Sequence, residues 1–236
     1  MTKGVNSTIG RWFFSLLIAA LLFSFVWGGA LNHANAEGKS LSFTLEVPGW
    51  TLEEGPDGYD QITITDFEQA GLTGDPLLPQ KQYQFALPPN IDAESIQLDV
   101  QVVESQMLGS GYQIAPAPPV AAWDEDELIV SWGENADFIE NGQSTLVYEQ
   151  DAAFPAFYAS LGNYAQMRKW KFINVVFTPV RYNPVSGELE IATKVDVKIS
   201  YETTVAAQTL PLTDTVMDDA AQSLFDNYDS AKDWYT

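Results

Sequence analysis

The sequence predicts an all-β protein: an antiparallel β-sandwich with a short C-terminal amphipathic helix, preceded by a signal peptide. Three observations carry this reading. Apolar and polar residues alternate over short runs, Pro-rich connectors interrupt the middle of the chain, and a long hairpin stands out near its end.

The first 36 residues read as an export signal. Lys3 and Arg11 precede the apolar run Trp12 to Trp27, and Ala34 and Ala36 follow at the spacing signal peptidase requires. The alternative is an uncleaved anchor, because the apolar stretch to Leu31 approaches the ~20 residues that span a bilayer.

The following segment opens with Leu41, Phe43, Leu45 and Val47 on one face of a strand. Ile96, Leu98, Val100 and Val102 repeat the pattern, with Ser95, Gln97, Asp99 and Gln101 between them. Shorter strand candidates are 61–67, 83–87 and 128–132. The clearest pair runs from Trp170 to Val180, turns through Tyr182–Gly187, and returns from Glu188 to Glu202. Its second strand puts Leu189, Ile191, Val195, Val197, Ile199 and Tyr201 on one face and Glu188, Glu190, Lys194, Asp196, Lys198 and Glu202 on the other. The first is apolar on both faces, as a strand central in its sheet must be.

Pro-rich segments at 75–79, 87–90 and 114–119 break regular structure and argue against a helical bundle. After Leu210-Pro211-Leu212 the pattern changes period. Thr215 is placed to cap a helix with Asp218 and Asp219 in its first turn, and Ala221, Leu224, Phe225, Tyr228, Ala231 and Tyr235 form one stripe. That stripe packs either on its own domain or against a following one.

Composition bounds the chemistry. The chain has no cysteine, and its one histidine, His33, lies within the segment removed with the signal. The exported part therefore lacks the side chains that most often titrate near neutral pH, act as nucleophiles or ligate zinc, copper and iron. No disulfide is available, so core burial alone must hold the fold. The formal net charge is −21, and about −23 without Lys3 and Arg11. Such a charge speaks against nucleic acid and anionic membrane surfaces as partners. Carboxylates could still serve a hydrolase, but Asp214-Thr215-Val216 lacks the glycine of the aspartic-protease signature, and Gly109-Ser110-Gly111 has no histidine to activate its serine.

No cofactor is expected. Asp57 and Asp60, and Asp124 and Asp126, offer oxygens to calcium, but neighbouring side chains of an extended segment point apart and neither stretch has EF-hand spacing. Tryptophans in a cysteine-free β-domain serve mainly as core. Trp123, beside the acidic run Asp124 to Glu127, is the one expected at the surface.

Read in order, Gly74-Asp75-Pro76-Leu77-Leu78-Pro79 and Phe85-Ala86-Leu87-Pro88-Pro89 resemble the opening of the propeptide of gingipain-type (clan CD) cysteine peptidases. Ala115-Pro116-Ala117-Pro118 looks like the Pro-rich loop in the middle of that domain, and Phe154-Pro155 like its aromatic-Pro step. Phe177 to Pro184 followed by Gly187-Glu188-Leu189 is similar to its last hairpin. The resemblance spans about residues 41–202. It implies a β-sandwich over 37–205, then over 206–236 a linker and helix leading towards a possible missing catalytic domain.

The resemblance also implies a function: a secreted propeptide that inhibits and helps fold a cysteine endopeptidase by covering its cleft, the protease being encoded in the same chain or nearby. In gingipains a basic residue enters the specificity pocket. Arg168, Lys169 and Lys171 are the basic cluster here and the candidates for that role, Arg168 first. The competing reading is a stand-alone extracellular module that binds carbohydrate or a surface protein. In either case the chain itself is not expected to be an enzyme.

Overall fold

The computed structural model describes residues 39–124, 126–133, 135–204 and 213–235. The signal segment with Ala34 and Ala36 lies outside them, as do Glu125 and Glu134. Strands β1 (Lys39–Glu46), β2 (Trp50–Glu54), β3 (Asp60–Ile64), β4 (Glu68–Ala70), β5 (Leu78–Leu87) and β6 (Ile91–Gly109) come first. They are followed by β7 (Val120–Asp124), β8 (Glu127–Ser131), β9 (Ile139–Glu140), β10 (Gln143–Ser144) and a one-turn helix α1 (Thr145–Tyr148). Then come β11 (Ala159–Met167), β12 (Trp170–Phe177), β13 (Val180–Asn183), β14 (Glu188–Thr203), α2 (Asp218–Leu224) and α3 (Tyr228–Ala231).

Two four-stranded antiparallel sheets face each other. In the first, β14 is central, with β1 and β13 along one edge and β6 along the other. The second has the order β11-β12-β5-β4. The alternation of β14 has the expected consequence: Leu189, Ile191, Val195, Val197, Ile199 and Tyr201 are all buried. Val195, Val197, Ile199 and Tyr201 meet Phe85, Leu87, Ile173, Val175 and Phe177 of the second sheet, whereas Leu189 and Ile191 pack in a second cluster with Ile62, Ile64, Leu78 and Ile114; Phe43 of β1 stacks on Phe85 with ring centroids 4.0 Å apart.

The apolar run from Trp170 to Val180 is not one strand. It leaves the second sheet after Phe177 and enters the first at Val180, so β12 and β13 belong to different layers. Pro179 has no N–H to give a ladder and forces the break. The two flanking bonds are Thr178 N–H to the Tyr158 carbonyl (2.8 Å) and Ala192 N–H to the Pro179 carbonyl (2.8 Å). The hairpin with β14 is therefore made by β13, while β12 sits between β11 and β5, central as its apolar faces require.

The turn between β13 and β14 rests on a second loop. Gly187 adopts φ +67°, and a Cβ built there would lie 2.7 Å from both the Cα and N of Gly111. Both the backbone twist and the close approach require glycine. Gly187→Ala is expected to cost about 3 kcal/mol, from a disallowed φ plus a clash with main chain that cannot step aside. A urea midpoint unchanged from the parent protein would contradict it.

The tail begins later than its pattern suggests. Helix α2 starts at Asp218, with Met217 and not Thr215 at the cap position, and the Thr215 carbonyl accepts from Asp218 N–H (3.1 Å). It ends at Phe225, where the backbone turns extended, before α3 and a final 3-10 turn over Lys232–Tyr235. Asp226 and Asn227, in the break, cap the edge of β5 that β4 leaves open. Asp226 exchanges bonds with Gln84 (N–H to O=C 2.9 Å; Gln84 N–H to Oδ2 2.7 Å). The Asn227 amide does the same with the Ala86 main chain (2.7 and 3.0 Å). Ala221, Phe225, Ala231 and Tyr235 pack with Ala86 and Trp170 in a third apolar cluster.

Buried tyrosine hydroxyls set the response at high pH. Burial pushes Tyr148, Tyr158 and Tyr235 well above the usual tyrosine value of 10.0. A group raised in the folded state contributes stability that is complete below its unfolded pKa and is lost as pH climbs through the folded one. Stability is expected to fall above about pH 10. Denaturant midpoints measured from pH 8 to 11 that do not decline would contradict it.

Candidate interaction site

The hairpin of β7 and β8 stands out from this architecture. Its pairs are Val120 with Ser131, Ala121 with Val130, Ala122 with Ile129, Trp123 with Leu128, and Asp124 with Glu127. Because side chains alternate, Trp123, Leu128, Ala121 and Val130 share one face. Val120, Ala122 and Ile129 share the other, with Asp124 and Glu127 towards the tip. All ten strand residues are exposed, Trp123 to 73% and Val120 to 65%. An isolated two-stranded ribbon is marginal in water, and an apolar patch on both its faces marks a surface that another body covers.

The ribbon rises from a fixed base. Ahead of β7, the chain from Ile114 to Ala117 is bonded to the loop Gly74–Leu77. Leu77 N–H donates to the Ala115 carbonyl (2.9 Å), Ala117 N–H to the Asp75 carbonyl (2.8 Å), and Gly74 N–H to the Ala117 carbonyl (2.9 Å). Beyond β8, Ser144 N–H returns to the Gly74 carbonyl (2.8 Å). The Gly-Asp-Pro-Leu stretch thus holds the first foot of the hairpin and meets the chain again at Ser144 in β10. Tyr148 Oη and Tyr182 Oη reinforce the first foot, donating to the carbonyls of Ile114 (2.8 Å) and Tyr112 (3.1 Å).

The basic cluster lies elsewhere, at the β11–β12 turn, and its members part company. Arg168 holds a left-handed φ of +54°, and its side chain, 54% exposed, pairs with Asp214 at 3.1 Å. Lys169 is turned inward: its ammonium, with the side chain 5% exposed, meets the Asp218 carboxylate at 3.0 Å and the Tyr235 carbonyl at 3.3 Å. The Trp170 indole N–H donates to the same Asp218 (3.0 Å). Lys171 N–H donates to Tyr235 Oη (3.0 Å), and that hydroxyl donates to the Leu87 carbonyl. Lys169 and the Lys171 main chain thus fasten the tail; Lys171 is half-buried, and Arg168 is the most exposed of the three.

The acidic candidates for calcium do not converge. Asp57 accepts from Tyr59 N–H (3.3 Å) within its own turn, and Asp60 accepts from Gln113 N–H (2.8 Å). Asp124 and Asp126 flank the hairpin tip. Among the described residues no three acidic or histidine side chains gather as a metal would require.

The profile of Propeptide_C25 matches residues 38–234, nearly all of the sandwich and its tail. The chain belongs to that family. Gingipain R2 of Porphyromonas gingivalis, from two strains, is 26% identical over 242 aligned positions, which cover 93% of this chain and 31% of the relative. The chain thus spans about a third of the length of the curated relatives it matches. Among solved structures, the complex of the Porphyromonas gingivalis RgpB pro- and mature domains superposes with a TM-score of 0.55 at 25% identity. It covers 83% of this chain and 96% of that one. A structure described as giving insight into the zymogenic latency of gingipain K superposes with a TM-score of 0.50 at 13% identity, over 74% and 97% of the two chains, which speaks to the fold alone. The chain is a gingipain-type propeptide domain. It carries no cysteine with which to act as a cysteine protease itself.

Proposed function

We propose that this domain keeps a gingipain-type cysteine protease latent by laying the β7–β8 hairpin over its substrate cleft. The observation that carries the reading is the hairpin itself, exposed and apolar on both faces and rooted at its first foot on the Gly74–Leu77 loop. An apolar ribbon with a short acidic tip fits a groove, and the groove supplies the cover that a lone two-stranded ribbon lacks. Joined to the protease in one chain, the domain acts at an effective concentration on the order of millimolar, so modest contacts suffice. The relative solved as a complex of pro- and mature domains supports a catalytic domain as the partner.

Export follows from the same reading. The domain works outside the cell, and the segment ending at Ala36 directs it there. The direct test adds purified residues 37–236 to the gingipain-type catalytic domain encoded in the same genome and follows peptide hydrolysis. Inhibition in the micromolar range or below is expected, and undiminished hydrolysis with tens of micromolar domain present, a binding free energy weaker than about −6 kcal/mol, refutes the assignment.

Arg168 is the second candidate contact, favoured by its exposed side chain on a turn. To enter a protease pocket it must release Asp214, an exposed pair worth about 0–1 kcal/mol. Arg168→Ala in the same assay separates the two: loss of inhibition places the contact at the β11–β12 turn, and unchanged inhibition removes Arg168.

A further inference from the structure

The first sheet has an edge that nothing described covers. Strand β6 runs for 19 residues and pairs with β14 along one side only; among the described residues no strand pairs with its other side. Edge β11 of the opposite sheet comes alongside without sharing a ladder. From Ile91 to Val100 the inward side chains of β6 reach the core, but from Val102 to Met107 every residue is exposed. Val102 stands at 40%, Val103 at 45% and Met107 at 58%.

Natural edges of this kind are guarded by lysine, proline, shortness or cover. This one is long, and it has no lysine, arginine or proline from Ile91 to Gly109. Its register shifts against β14, between the partners of Val102 and Glu104 and again beyond, bend the strand but leave it bare. Its charged residues are Asp92, Glu94, Asp99 and Glu104, all acidic.

That charge pattern selects the occupant. A second copy pairing antiparallel about Gln101 and Val102 would set Asp99 against Glu104 in both directions, and each copy brings a formal charge near −23. Like charges directly opposite in a ladder are destabilising, whereas opposite charges contribute. We propose that the open edge of β6 is a strand-addition site for a basic, extended segment of the catalytic domain, alternating Lys or Arg with apolar residues. This rests on the proposed role of the hairpin and gives the same partner a second anchor, held by main-chain bonds and read by Val102, Val103, Glu104 and Met107. Two anchors on one partner multiply, so the edge adds grip without a larger hairpin.

Amide hydrogen exchange on residues 37–236, alone and with the catalytic domain from the same genome, tests it. Added strand pairing is expected to slow the amides of Val102–Met107 in the complex, alongside those of the hairpin. The double variant Val103→Lys and Met107→Lys, at exposed positions, is expected to weaken binding about tenfold with unchanged circular dichroism and melting. A complex in which the hairpin is protected while β6 exchanges as before, with the double variant binding normally, overturns this inference and leaves the hairpin role standing. No complex with the parent protein overturns both. Protection of β6 that appears without protease, rises with concentration and accompanies a dimer mass assigns the edge to a second copy and equally overturns the proposal.

Discussion

Trp123→Ala is expected to weaken inhibition of the partner protease about 30-fold or more while leaving the melting temperature essentially unchanged. Buried interface tryptophans commonly contribute 2 kcal/mol or more, and about 1.4 kcal/mol is a factor of ten. Within the free domain Trp123 is 73% exposed and lies across the ribbon from Leu128, so truncation removes little that the fold uses. Exposed substitutions of this type usually change stability by about 0.5 kcal/mol or less. Trp123→Phe should retain part of the affinity, since the ring keeps most of its apolar area. The assignment fails if Trp123→Ala inhibits as well as the parent protein, or if it lowers the melting temperature as a core substitution does.

Trp170→Ala has the opposite signature. Trp170 is 2% exposed, and its ring lies 5.6 Å from Phe225, 5.6 Å from Tyr228 and 4.3 Å from Tyr235. Its indole N–H is also held by Asp218. Deleting the ring leaves a large cavity between β12 and the tail, with an expected loss of about 4 kcal/mol. The tail should loosen first, because Trp170 is its largest contact and Ala86, Asn227 and Tyr235 depend on that packing. Limited proteolysis should then cut within 213–235 before it cuts the sandwich. Cleavage that begins in the sandwich, or a denaturation midpoint equal to that of the parent, would refute this account. Trp170→Phe keeps the stack, loses the bond to Asp218, and should lie between the two.

Much of the sandwich was legible because its strands carry an unambiguous period. In β14 Leu189, Ile191, Val195, Val197, Ile199 and Tyr201 mark one face, and the structure buries all six; the alternation is interrupted at Ala192 and Thr193, where the register with β6 shifts. β12 was readable as central from its two apolar faces. The change of sheet at Thr178–Pro179 was not, because the apolar run continues unbroken through it and only the missing N–H of Pro179 marks the point. The tail stripe named the buried residues correctly at Ala221, Phe225, Ala231 and Tyr235, yet the helix breaks between Phe225 and Tyr228. Asp226 and Asn227 spend their side chains on the edge of β5, a demand made by residues some 140 positions away and invisible to a local pattern.

The candidate site was less legible for a related reason. Alternating apolar residues in 120–131 look the same whether a sheet covers them or nothing does, so the ribbon registered only as a short strand and an exposed tryptophan. The basic cluster put Arg168 first, but nothing local showed that Lys169 turns inward. Burial of Lys169 against Asp218 depends on a partner 49 positions away.

The segment from Ala117 to Ser144 that carries the β7–β8 ribbon starts and ends on one four-residue base, Gly74–Leu77, and its strands make no ladder with either main sheet. The ribbon is therefore an interchangeable cassette. Its length, tip and apolar faces can be exchanged without breaking a ladder of the scaffold beneath. Exchanging residues 118–135 between two members of the family should carry target preference with the cassette, which makes this segment the natural handle for redirecting such a domain to a new protease.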